Sequence, residues 1–152
     1  MFKKERRSWI ILICVIMVPV FCFVIAPLLI YGIGHFWSST EKVYEVNWNI
    51  TLPDDMDLLD DRKTESFRGD GVRHTVYSVH GKEDYFQDFR TSGSAEIEKV
   101  CFDVLADLQV EEPYIPDFKM GYVWKKYTKY SDFLIVLYIP DKSELHLFQQ
   151  FI

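Results

Sequence analysis

Among the side chains that could do chemistry, His74 stands out, because Asp70 lies four residues before it and Glu65 a little further back. A carboxylate that holds an imidazole in one tautomer makes it a general base, so Glu65, Asp70 and His74 together define a hydrolase reading. A plainer reading has the same spacing: polar side chains on the exposed face of a strand beside a turn. The remaining histidines past residue 40, His80 and His146, fall into no HExxH pattern. No CxxC or GxSxG occurs, and the glycines follow neither a phosphate-loop nor a dinucleotide pattern. No catalytic, cofactor-binding or metal-ligating residue is therefore assigned, and no cofactor is expected. Asp54, Asp55, Asp57, Asp60 and Asp61 offer oxygen donors for calcium. Counted as an EF-hand from Asp55, however, they put Leu59 at the fifth position and Asp60 at the sixth, where glycine is needed. They read as a solvated acidic loop. Arg68-Gly69-Asp70 spells an adhesion tripeptide, and glycine beside aspartate is also the ordinary chemistry of a turn.

The other candidate is a contact surface. From Tyr122 to Tyr130 aromatic residues are interleaved with Lys125, Lys126 and Lys129. Trp124, Lys126, Tyr127 and Tyr130 would supply a protein partner with large contact area at low entropic cost. The same segment also fits an edge strand that lysines guard against unwanted pairing.

These residues need elements to hold them. Val43 to Leu52 alternates Tyr44, Val46, Trp48, Ile50 and Leu52 with polar residues, the period of a strand. Pro53 and the acidic run to Asp61 end it, a second extended region is expected from Arg62 to Phe67, and a third from Val72 to His80. Gly69-Asp70-Gly71 between them is either a hairpin turn or a bulge. Ile97, Val100, Cys101, Val104, Leu105 and Leu108 recur at helical spacing, with Ser94 as N-cap and Cys101 on the buried face. Strands are predicted for 122–129, 133–139 and 144–151, the last two joined by the turn Pro140-Asp141-Lys142-Ser143. Phe133 to Ile139 is apolar at every position and so is the expected heart of the core. The order strands, helix, strands implies an α+β domain, an antiparallel sheet with a single packed amphipathic helix.

Ahead of that domain, Ser8 to Thr40 holds no formally charged residue and follows Lys3, Lys4, Glu5, Arg6 and Arg7. As a helix, residues 9–31 would reach about 34 Å, enough to cross a hydrocarbon core of about 30 Å. Trp9 at one end and Tyr31, Phe36 and Trp37 at the other suit the two headgroup layers. Residues 1–8 are thus read as a basic cytoplasmic tail, 9–37 as a single transmembrane anchor, 38–42 as a short linker, and 43–152 as an extracytoplasmic domain. The positive-inside rule sets that orientation. The run is too long for a cleaved signal peptide and lacks a small-x-small site.

Taking four basic residues and one acid in the tail from totals of 17 and 23 leaves 13 against 22, a net charge of −9 outside. Such a charge disfavours nucleic acid and anionic lipid as partners. Cys101 is the one cysteine past the anchor, so the domain has no internal disulfide, which leans toward a Gram-positive surface.

The anchor, the acidic domain, the segment Phe67-Arg68-Gly69-Asp70-Gly71 and the closing hairpin from Tyr138 to Phe148 resemble small single-pass, membrane-anchored surface proteins of Gram-positive bacteria. Some similar anchored proteins are immunity factors against secreted toxins, and the resemblance assigns no functional residue. The expectation is a non-catalytic, membrane-anchored extracytoplasmic domain that binds a protein partner, of inhibitor or immunity type. The alternatives are a cell-envelope hydrolase using the His74 cluster and an accessory subunit of a membrane complex.

Overall fold

A computed structural model describes residues 21–26, 40–64, 70–81 and 83–152. The chain divides into two compact units, Met1–Ile50 and Thr51–Ile152.

In the first unit, most of the expected anchor, with the tail, lies outside the described residues. Within residues 21–26, Phe21–Ile25 form a π-helical turn that leaves Phe21 and Phe23 exposed. Among the described residues no helix is long and apolar enough to cross a membrane. Thr40–Trp48 is an α-helix, α1, and this corrects the strand expected from Val43 to Leu52 as well as the linker expected to end at Lys42. Positions i and i+4 share a face in both a strand and a helix, so Tyr44 and Trp48 fit either period; position i+2 decides. Tyr44 and Trp48 are buried, whereas Val46 between them is 63% exposed, the signature of 3.6 residues per turn. Lys42 and Glu45 form an i,i+3 ion pair at 3.2 Å, and Asn49, at φ 51°, ends the helix in the left-handed conformation that asparagine tolerates.

In the second unit, five described strands form one antiparallel sheet in the order β1-β2-β5-β4-β3: β1 Met56–Lys63, β2 Gly71–Val79, β3 Val123–Lys129, β4 Asp132–Ile139 and β5 Glu144–Phe151. The helix α2, Ala95–Asp107, packs on one face, giving the α+β arrangement expected. Ser94 caps it, its Oγ accepting from Ile97 N–H at 3.4 Å. Ile97, Cys101, Val104 and Leu105 then bury against Ile135, Leu137 and Ile139 of β4 and Phe148 of β5. Cys101 is wholly buried, and burial pushes its thiol far above the ordinary range, with nearby Glu98 adding to the shift.

On the opposite face, Phe86 of the 3-10 turn Glu83–Phe86 stacks on Tyr138 at 3.8 Å between centroids, and Phe89 meets Phe86 edge-on at 5.3 Å. β4 is thus buried on both faces from Leu134 to Ile139, the physical reason for its unbroken apolar run.

β1 holds the second correction. Of the acidic run expected to be a loop, Asp54 and Asp55 do lie in a bend, but Asp57, Asp60 and Asp61 belong to an edge strand, and the strand expected from Arg62 to Phe67 starts six residues earlier, at Met56. An edge strand with two wet sides can be polar if its charges are matched. Asp57 meets His80 Nε2 at 2.9 Å, Asp60 meets Arg62 Nε at 3.1 Å, and Asp61 accepts from Arg73 Nη2 at 2.6 Å and Thr75 Oγ1 at 2.8 Å. Burial alone would raise the Asp61 carboxyl, but those hydrogen bonds outweigh it and hold the group below its usual range. The register slips between Leu58 and Asp60, a bulge of the kind that blunts an edge. β1 and β2 pair antiparallel as two separate strands, with Asp70 just before β2 and Gly71 its first residue; Glu65 to Gly69 lie outside the described residues.

Candidate functional site

β3 is an edge strand, and alternation assigns its side chains to two faces. Trp124, Lys126 and Thr128 share the face that carries α2, while Val123, Lys125, Tyr127 and Lys129 share the other. Trp124 is only 7% exposed. Its indole N–H donates to the Ser92 carbonyl at 3.0 Å, and the Arg90 guanidinium lies 5.1 Å from its ring centre. The expected strip of Trp124, Lys126, Tyr127 and Tyr130 is therefore not one surface. Trp124 points into the core, Lys126 is exposed on the same face, Tyr127 is half-buried on the other, and Tyr130 occupies the tip of the β3–β4 turn.

What unites these residues is the backbone edge. Arg90 and Trp124 exchange two hydrogen bonds, Arg90 N–H to Trp124 carbonyl at 2.9 Å and the reverse at 3.0 Å. Trp124 therefore turns its amide and carbonyl away from β4, and because backbone direction alternates, so do Lys126 and Thr128. The chain touches the outer edge of β3 at Arg90, and because that bridge is antiparallel, Ser92, Gly93 and Ser94 then run toward Tyr122, away from Lys126 and Thr128, and into α2. Among the described residues the outward amides and carbonyls of Lys126 and Thr128 have no backbone partner.

A cleft of about 670 Å³ runs along this edge, bounded by Asp88, Arg90, Ser94, Glu96, Lys126 and Thr128. Its far wall is held rigid. Ser94 N–H donates to the Tyr122 hydroxyl at 2.8 Å, which itself donates to Glu98 Oε1 at 2.7 Å. Burial and the Glu98 carboxylate raise the Tyr122 phenol above its usual range, so it stays protonated as that donor. Lys125 Nζ lies over the Phe89 and Tyr127 rings at 5.7 and 5.6 Å, and Lys126 Nζ over Phe133 at 5.6 Å. None of Lys125, Lys126 and Lys129 pairs with a carboxylate among the described residues. Tyr130 at φ 58° is 97% exposed, a bulky side chain held outward by a left-handed turn position.

The second sequence candidate comes apart differently. His74 is 0% exposed, Asp70 is exposed at the start of β2, no hydrogen bond or ion pair joins them, and Glu65 lies outside the described residues. The partner of His74 is His146 on β5: His74 Nε2 lies 3.2 Å from His146 Nδ1, and the His74 ring stacks on Phe148 at 4.5 Å. His146 Nε2 faces Glu144 Oε2 at 3.6 Å, just beyond hydrogen-bond length, with Lys142 Nζ 4.0 Å from the same oxygen. Burial, reinforced by His146 and Arg62, lowers His74 to about 3, and burial lowers His146 as well despite Glu144. Both rings are neutral at pH 7. The arrangement that satisfies most atoms has His146 Nε2–H directed at Glu144 and His74 Nε2–H donating to His146 Nδ1. That leaves the acceptor His74 Nδ1 dry, while His146 Nε2 and Glu144 Oε2 face each other at 3.6 Å without a hydrogen bond.

His146 and Glu144 were missed from sequence because they lie diagonally across the β2–β5 register, Val76 opposite His146 and His74 opposite Phe148. Arg90, Ser92 and Ser94 join the β3 cleft through contacts with Trp124 and Tyr122 about 30 residues away, which leave no local pattern.

No family model, curated protein or solved structure matches this chain.

Proposed function

We propose that the chain is a non-catalytic protein-binding module of inhibitor or immunity type, held outside the cell by a single membrane span over residues 9–37. The uncharged run behind a basic tail supports the anchor, as do the exposed apolar side chains of Phe21 and Phe23. The observation that carries the binding reading is the unfinished ladder on β3: an exposed edge, with outward backbone groups at Lys126 and Thr128, beside a cleft with a rigid wall. An open edge is ordinarily covered or bulged, as β1 is, unless it has something to bind. The binding reading is preferred to the hydrolase alternative because His74 is buried and its ring neighbours are His146 and Phe148.

A photo-crosslinking amino acid placed at Lys126 or Tyr130 of the full chain in its native membrane tests the proposal. A discrete adduct with one protein from these positions, absent when the crosslinker sits at Leu59 on the opposite edge, is the expected result. Adducts with lipid alone, or equal adducts from both edges, would overturn it.

A further inference from the structure

The edge also specifies what kind of segment docks, an inference that rests on the protein-binding reading. We infer that the partner contributes an extended strand bearing carboxylates, which joins the sheet at β3 as a sixth strand and continues the ladder that Arg90 begins. Its backbone would pair with the outward amides and carbonyls of Lys126 and Thr128. Side chains on one face of that strand would enter the cleft, where Asp88 and Glu96 offset Arg90 and Lys126, and those on the other would lie beside Lys125, Tyr127 and Lys129, a face on which these β3 residues bring two cations and no anion. Both faces present ammonium groups that no carboxylate of the described residues satisfies, on a domain that is otherwise acidic. On the face of Lys125 and Lys129, charge complementarity selects an acidic strand over a basic one. It also disfavours a second copy of this chain pairing β3 to β3, because Lys125, Lys126 and Lys129 would then face their own counterparts.

The probe is a nine-residue peptide alternating Glu and Val, compared with its Lys-Val counterpart, against the full chain in detergent micelles. The Glu-Val peptide should bind, slow amide hydrogen exchange at Lys126 and Thr128, and weaken as salt rises. Thr128→Pro removes an outward donor without touching the β3–β4 ladder, which edge strands tolerate. It should abolish the protection at Lys126, while the combined Lys125→Glu, Lys126→Glu and Lys129→Glu change should weaken binding by about tenfold or more. Thermal unfolding of each variant confirms the fold, and Lys129→Glu alone serves as a milder second test. Equal binding of both peptides, no protection at Lys126 and Thr128, or binding indifferent to Thr128→Pro would each overturn the inference. A dimer of the protein alone that Thr128→Pro dissolves would name a second copy as the occupant and overturn it too. A discrete protein adduct from Lys126 in the native membrane without peptide protection would defeat the strand mode and leave protein binding standing. Peptide protection without any crosslinked protein would do the reverse.

Discussion

At the scale of single residues, the interior of the sheet keeps two imidazoles where two apolar groups would pack. His74 and His146 are both fully buried, and their proximity at 3.2 Å forbids both from carrying charge without a large desolvation cost. In the unfolded chain a histidine takes up a proton as pH falls through about 6.5. In the folded chain His74 does so only near 3, so between those values the unfolded state binds more protons and stability falls with falling pH. His146 acts in the same direction, and the lowered carboxyls of Asp61 and Glu144 extend the loss to lower pH. His80, exposed and raised by its hydrogen bond to Asp57, has the opposite sign and contributes stability that is lost as pH rises through its folded value. Urea unfolding at pH 7 and pH 5 should show a loss of about 2 kcal/mol or more. In His74→Phe, whose ring can keep the stack on Phe148, that loss should fall by roughly half. An unchanged pH slope would show that His74 takes up its proton as readily in the folded chain as in the unfolded one.

At the scale of elements, α2 depends on its cap and β4 on close packing. Ser94→Ala should cost about 1 kcal/mol in chemical denaturation, and Ser94→Asp should recover most of it. Leu137→Ala, which opens space between β4 and α2, should cost about 2–5 kcal/mol. For α1 the decisive site is Val46: Val46→Glu should change stability by less than about 0.5 kcal/mol. A cost of several kcal/mol at Val46 would restore the strand reading of this segment.

These elements also show what could be read in advance. β2, β4, β5 and α2 announced themselves because each buries a stripe or run of apolar side chains, whereas β3 buries only Trp124. β1 did not, since its stability comes from Asp57, Asp60 and Asp61 finding His80, Arg62, Arg73 and Thr75, partners that include residues up to 23 positions away. The β3 strip was legible as aromatic and basic, but its split between two faces, and the partial cover by Arg90, were not.

At the scale of the whole molecule, the charge asymmetry is the constraint on partners. A net charge of −9 over residues 41–152 repels nucleic acid and acidic membranes at long range, while the lysines of β3 make one local exception. If residues 40–152 face outward, protease added to intact cells should remove an epitope at the C-terminus and spare one at the N-terminus. Protection of both epitopes would reverse the assigned orientation.

The amino-acid sequence by itself determined the α+β class, the position and capping of α2, the apolar core strand and the charge partition, because these rest on local periodicity and on counting. Only the tertiary structure decided that Tyr44 and Trp48 lie on a helix, that Asp57, Asp60 and Asp61 belong to an edge strand, that His74 belongs with His146, and that β3 ends the sheet with Lys126 and Thr128 facing outward. Each of those depends on which groups from distant parts of the chain are brought together, and neither spacing nor composition encodes that pairing.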